Sequence, residues 1–169
     1  MNIVVVDYIS VYERCFELGL QPVAAQVRVL PDNFSECTNI QDWEYSSTET
    51  TVRLLLNDIG INSGILENDA NSRKLLSRHS LVWYGPILFF AVSELTQNPH
   101  LLSLSLGVIA NYLTDHFRGL QGTPKVRLEI VTEKTKSKTT RKFCYEGDIT
   151  GLKVLGDTIL REVIDETVD

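Results

Sequence analysis

Formal charge is almost absent from the middle of this chain: between Arg78 and Asp115, Glu94 alone carries one at neutral pH. The stretch reads HSLVWYGPILFFAVSELTQNPHLLSLSLGVIANYLT. Apolar surface of that extent must be removed from water by the chain itself, by a partner or by a bilayer. Its two apolar segments, LVWYGPILFFAV and LLSLSLGVIANYL, have 12 and 13 residues, which falls short of the roughly 20 needed to span a bilayer. We therefore expect the stretch to lie inside the protein, with Glu94 on an exposed face.

Recognisable catalytic and cofactor motifs are also missing. The sequence has no GxGxxG or GxxxxGK[ST] motif, which argues against a phosphate-binding loop. The three histidines, His79, His100 and His116, have no HxH or HxxxH spacing, so no metal site is predicted. We expect no cofactor and no catalytic residue, and a non-catalytic role is favoured over an enzyme. A hydrolase that uses an unrecognised site is the weaker alternative.

Cysteine is scarce, and its pattern bounds the compartment. Cys15, Cys37 and Cys144 are odd in number, and no CxxC pair occurs. No basic segment with a small-residue cleavage site precedes the opening residues NIVVVDY. This pattern is typical of a reducing environment. We predict free thiols and a cytoplasmic protein.

The net charge of −6 argues against general nucleic-acid binding, because phosphate requires a basic surface. Residues 125–142 nevertheless hold seven basic and two acidic residues. Five of the basic residues cluster around a predicted hairpin turn, namely Lys134, Lys136, Lys138, Arg141 and Lys142. This cluster is a candidate patch for an anionic partner. The alternative is that the lysines protect the hairpin edge against the addition of another strand.

In the N-terminal part, β-branched residues 2–6 (NIVVV) predict a strand. An apolar stripe at helical spacing predicts a helix over 8–18, capped by Asp7. A strand continuing from 3 to 12 is the competing interpretation. A second strand is predicted over 23–30.

An acidic, irregular segment, residues 31–48, follows as a long loop. Ser46 and Glu49 fit a capping box, which predicts the start of a helix that ends at Gly60. Residues 61–79 are expected to hold a short strand and a turn or a single helical turn, with ENDANS as the turn-rich segment.

Two prolines divide the apolar stretch. LVWY (81–84) favours a buried strand. Gly85-Pro86 and Asn98-Pro99 both look like helix starts, since a proline in the first helical turn loses no hydrogen bond. We therefore predict helices over about 86–96 and 99–118, packed as an apolar helical hairpin (86–118).

The second of these helices has two distinct faces. Large apolar residues form one stripe, namely Leu102, Leu106, Ile109, Leu113 and Phe117. Small residues form the other, namely Ser103, Gly107, Ala110 and Thr114. Small residues at this spacing let a second backbone approach closely. The small-residue stripe is therefore the candidate interface.

After a linker at 122–124, a ββα unit is predicted over 125–165. Strands at 125–133 and 139–146 alternate apolar and polar residues around a TKSK turn. An amphipathic helix follows, with Leu152, Leu155, Ile159 and Val163 on its apolar face. The sequence thus predicts one α+β domain (1–169), with a mixed sheet that includes the C-terminal hairpin.

Two functional hypotheses follow from these features. The first is an adaptor or subunit of a multi-protein complex that self-associates or docks a protein partner through the small-residue stripe. The second is a membrane-acting effector, toxin or defence-system component whose 81–113 hairpin inserts into lipid. Trp83 and Tyr84 would suit a lipid interface, but the short apolar runs favour the first hypothesis.

Overall fold

A computed structural model of the chain describes residues 2–21, 24–66, 74–77 and 81–168, with side chains up to residue 164. These residues form an α+β fold, which confirms the predicted class. The strands are β1 (Asn2–Asp7), β2 (Val27–Leu30), β3 (Glu44–Ser46), β4 (Ser63–Ile65), β5 (Lys74–Leu76), β6 (Val82–Ala91), β7 (Lys125–Lys134) and β8 (Thr139–Gly147). The helices are α1 (Val11–Glu17), α2 (Glu49–Asp58), α3 (Val92–Gln97), α4 (Leu101–His116) and α5 (Leu152–Val168).

Six of these strands form one mixed sheet in the order β1-β8-β7-β6-β2-β4. The parallel pairs are β6 with β7 and β2 with β4, and the other neighbours are antiparallel. The predicted C-terminal hairpin is confirmed, with β7 and β8 paired from Val126–Gly147 to Lys134–Thr139. β3 and β5 form a separate parallel pair.

The helix predicted over 86–96 is wrong, because residues up to Ala91 belong to β6 at the centre of the sheet. Both faces of β6 are buried, so its sequence is continuously apolar and lacks the alternation of a half-exposed strand. Pro86 lies where the β6–β7 register shifts, a position that tolerates a missing N–H. Only α3 is helical, with the partly exposed Glu94 in its first turn. The helical hairpin 86–118 is therefore reduced to α3 and α4.

Two hydrophobic clusters cover the two faces of the sheet. The larger lies against α2, α3, α4 and α5, and includes the predicted stripe residues Leu102, Leu106, Ile109 and Leu113, all buried. The smaller lies on the opposite face, under α1 and the acidic segment, and is built around Phe34 and Trp43. We call these the helical face and the outer face of the sheet. The acidic segment 31–48 itself contains a 3-10 turn (Ile40–Asp42) and β3.

The starts of α1 and α2 differ from the sequence prediction. Asp7 ends β1, and Ser10 caps α1 by accepting a hydrogen bond from the Glu13 N–H. The Ser46–Glu49 capping box is not formed: the Ser46 hydroxyl donates to the carbonyl of Tyr84 at 3.2 Å. The Glu49 carboxylate instead pairs with Arg53 Nε at 2.6 Å and is fully buried. The predicted turn over ENDANS lies outside the described residues.

Candidate functional site

An open apolar groove runs between α4 and α5, the two helices that pack side by side on the helical face. Its volume is about 400 Å³. Ser103, Leu106, Gly107 and Ala110 line it from α4. The opposite wall comes from the start of α5 and the segment before it, with Ile149, Thr150, Lys153, Gly156 and Asp157. We call this feature the α4–α5 groove.

Two glycines give the groove its shape. Gly156 is buried, and a Cβ built on it would lie 3.1 Å from Leu106 Cδ1, so the glycine allows α5 to approach α4 closely at this point. A Cβ built on Gly107 would meet no atom within 4 Å. Packing inside the described chain does not require a glycine at this position. We call Gly107 the open floor of the groove.

Three of the four predicted interface residues lie in the α4–α5 groove, and Thr114 does not. Thr114 is exposed, and its hydroxyl donates to the carbonyl of Ala110 at 2.9 Å. The Ser103 hydroxyl likewise donates to the carbonyl of His100 at 3.1 Å. Because the Ser103 hydroxyl bonds to the backbone at the start of its own helix, α4 presents a mainly apolar surface to the groove.

The α5 wall was missed in the sequence prediction, which considered only the apolar face of the final helix. That face is confirmed, since Leu152, Leu155, Ile159 and Val163 are buried. Gly156 was the sequence signal that could have indicated this wall. A glycine inside a helix costs about 1 kcal/mol relative to alanine and often has a packing reason. Leu104 on α4 and Val154 on α5 are also exposed, so each of the two helices carries an exposed apolar side chain outside the groove lining.

The predicted basic patch is divided between surfaces. Arg141 and Lys142 are neighbours on β8, so their side chains lie on opposite faces of the sheet. Arg141 pairs with Glu162 of α5 at 3.3 Å, and Lys142 pairs with Glu129 of β7 at 3.6 Å. Nearby acidic groups thus partly balance this charge. Lys138 in the turn is 3.7 Å from Glu13, Lys136 is exposed and Lys134 ends β7.

A second pocket, polar and about 420 Å³ in volume, lies on the outer face beside the β6 irregularity. Its charged lining residues are Asp32, Glu36, Arg127, Glu129 and Lys142. Close to it, burial and then the Glu129 carboxylate raise the pKa of the Cys144 thiol, which keeps it protonated at neutral pH. The sequence prediction missed this pocket because its residues come from the acidic segment and three strands.

Tyr8, at the edge of this polar region, provides a test by titration. Burial raises its pKa to about 12 from an ordinary value of 10.0. Because the folded pKa is the higher one, the associated stability is complete below about pH 10 and is lost as the pH rises towards 12. We expect the free energy of unfolding to fall less steeply over this range in Tyr8→Phe than in the wild type, as measured by urea titrations at each pH. Parallel slopes would contradict the assignment.

Within the described ranges, no group of three His, Cys, Asp or Glu side chains is arranged to hold a metal ion. No described helix is both long enough and apolar enough to cross a membrane.

Comparisons of the chain with protein-family models, with characterised proteins and with solved structures find no match. A functional assignment therefore depends on the geometry of the molecule's own surfaces.

Proposed function

We propose that this protein is a non-catalytic assembly protein, an adaptor or subunit of a multi-protein complex, whose α4–α5 groove receives a helix from a protein partner. The observation that carries the proposal is the open floor at Gly107, above which no side chain of the described chain is packed. The groove lining is mainly apolar, and exposed Lys153 and Asp157 lie along its α5 wall.

This shape is suited to the apolar face of an amphipathic helix. Helix-in-groove recognition uses anchors at positions i, i+3, i+4 and i+7, which match a cleft between two packed helices. The charges of Lys153 and Asp157, one helical turn apart, would orient the polar edge of the incoming helix. The apolar anchors would supply most of the affinity, and the charges would fix the direction.

A different protein is favoured over a second copy as the occupant of this groove. In a two-fold contact centred on the groove, the same surface of each copy meets itself. Two concave floors would then face each other and leave an unfilled space, which forfeits packing energy. A convex helix from another protein avoids this defect.

The test compares Gly107→Leu with Thr114→Leu. The first substitution fills the groove, whereas the second adds the same side chain to the same helix outside the groove. A partner identified by affinity capture and mass spectrometry, then purified, should bind the Thr114→Leu protein as it binds the wild type. Gly107→Leu should weaken binding by at least about tenfold, or about 1.4 kcal/mol.

Thermal unfolding of both variants serves as the folding control. Equal affinities of the two variants for the purified partner would contradict the proposed site. Light scattering of the same variants tests the occupant: a dimer abolished by Gly107→Leu alone would identify a second copy in the groove.

The proposed setting is the cytoplasm. Its support is the odd number of cysteines and the free state of Cys15, Cys37 and Cys144 in the structure. The membrane-acting alternative requires the 81–113 hairpin to insert into lipid, whereas residues 82–91 form the central strand β6.

A further inference from the structure

The outer edge of β1 offers a row of backbone groups for pairing. β1 is the terminal strand of the six-stranded sheet, and no described strand pairs with its other edge. The Tyr8 N–H donates to the Thr140 carbonyl at 3.0 Å, in the same register that pairs β1 with β8. Hydrogen-bonded pairs alternate along an antiparallel ladder. The even-numbered residues therefore bond to β8, and the N–H and C=O groups of Ile3, Val5 and Asp7 point away from the sheet.

This edge has few of the features that usually prevent strand addition, and Asp7 is its one charged residue. The sequence of β1, NIVVVD, has no lysine or proline, and its pairing with β8 continues without a bulge. Val4 and Val6, on the outer face, are 45% and 40% exposed. The opposite edge strand, β4, has only three residues. β1 is thus the longer and more apolar of the two edges of the sheet.

We propose that β1 pairs antiparallel with β1 of a second copy, across a two-fold axis at Val5, so that two sheets join into one. The β1 edge is a different surface from the α4–α5 groove, and its partner is a second copy rather than another protein. This pairing gives the assembly protein two distinct contacts, one with its own copy and one in the α4–α5 groove.

The register follows from the backbone pattern. A two-fold axis perpendicular to the sheet keeps the two faces in place, and directly opposed residues share a face. The residues whose backbone N–H and C=O groups point away from β8 must therefore lie opposite the same kind of residue in the partner subunit. With Val5 opposite Val5 of the partner subunit, Ile3 faces the partner's Asp7. By symmetry, Asp7 faces the partner's Ile3. All three outward residues of each chain then form hydrogen-bonded pairs. With the axis at Val4 or Val6, one of these three residues would instead face a position outside β1.

On the outer face, the same register is self-complementary in its side chains. Val4 faces Val6 of the partner subunit, and Val6 faces the partner's Val4, so the four exposed valines form one apolar cluster. The two Asp7 carboxylates lie at opposite ends of the strand pair and do not face each other. This match between identical strands is the reason to name a second copy as the occupant. Two paired six-residue strands bury less surface than the roughly 1,200 Å² that stable interfaces bury. The dimer should therefore dissociate on dilution.

The first experiment is sedimentation velocity over a concentration series of the wild type and Val5→Pro. The wild type should form dimers reversibly. Because the Val5 N–H points away from β8, proline at this position leaves the β1–β8 ladder intact but removes a donor from the free edge. We expect at least about a tenfold weaker dimer. Circular dichroism and thermal unfolding check that the partly buried position tolerates the change.

The second experiment tests the register with charges. In Val4→Lys/Val6→Lys, each lysine faces a lysine of the partner subunit, so the dimer should weaken by at least about tenfold. In Val4→Lys/Val6→Glu, the same positions pair lysine with glutamate, which should restore association to near the wild-type level. Phe16→Lys is the matched control, since Phe16 is an exposed apolar residue on α1, 86% accessible and outside β1.

Three results would overturn the proposal. They are a wild type that stays monomeric at every concentration, a dimer of undiminished strength in Val5→Pro, and equal weakening by the two charge variants. The Gly107→Leu protein separates this dimer from the α4–α5 groove. It should dimerise like the wild type even where it fails to bind the groove partner, and its loss of dimerisation would assign self-association to the groove instead.

Discussion

Glu133→Ala should lower the free energy of unfolding by about 3 kcal/mol, because it removes a buried carboxylate that satisfies three donors. Glu133 lies on β7 and is 3% exposed. Its Oε1 accepts from the Val11 N–H at 2.8 Å and from the Thr140 hydroxyl at 2.6 Å, and its Oε2 accepts from the Tyr12 N–H at 3.1 Å. Without it, the first N–H groups of α1 have no acceptor. Urea unfolding followed by circular dichroism measures the effect.

Glu129→Ala is the matched control for this experiment. Glu129 lies on the same strand and the same face as Glu133, but its partner Lys142 is 3.6 Å away and partly exposed. Ion pairs of this kind contribute about 0–1 kcal/mol. If both variants lose the same stability, the special role of Glu133 as an acceptor for the start of α1 is wrong.

Substitution by alanine should change the stability of this protein in opposite directions at Gly85 and Gly107. At Gly85, a Cβ would lie 2.6 Å from Leu128 Cδ1 and 2.6 Å from Trp83 Cζ3, and both neighbours are buried. Forcing them apart should cost about 2 kcal/mol. At Gly107, the Cβ meets no atom of the described residues within 4 Å, so alanine should stabilise α4 by about 0.5–1 kcal/mol.

The same urea titrations measure this pair, and the sign of each change is the decisive quantity. A stabilised Gly107→Ala protein would show that the glycine does not serve folding, which supports a role for the open groove floor. Destabilisation at Gly107, or a neutral result at Gly85, would contradict the packing described for these sites.

The success of the strand predictions depended on how each strand is covered. The start of β7 alternates between exposed and buried residues, and the period-two pattern at 125–133 therefore predicted it. β6 is covered on both faces, so residues such as Leu88 and Phe89 are buried alike and the pattern does not separate strand from helix. Pro86 then favoured the wrong choice, because its tolerance depends on a sheet irregularity that adjacent residues do not reveal.

Distant contacts also decided the start of α2. Ser46 and Glu49 have the spacing of a capping box, but β3 brings the Ser46 hydroxyl to the carbonyl of Tyr84 on β6. Glu49 finds Arg53 one turn further along its own helix. Local spacing identified the helix but not the hydrogen bonds of its first turn.

Only one of the two walls of the candidate site could be predicted from the sequence. The small residues of α4 showed one wall, because Ser103, Gly107 and Ala110 recur at helical spacing. The α5 wall depends on the close approach of Gly156 to Leu106, which joins two helices far apart in the chain. Only the folded arrangement shows that these residues leave a groove rather than a filled interface.

The pairing of β1 with β8 has a consequence for the order of events during synthesis. β1 is synthesised well before its neighbour in the sheet, which spans residues 139–147. Contacts this distant in sequence slow folding, because the intervening chain must be ordered before they form. The Glu133 contact with α1 has the same delay. Closure of the sheet and anchoring of the first helix must therefore wait for these distant residues, and the β1 edge becomes a binding surface only after β8 has been made and has paired with β1.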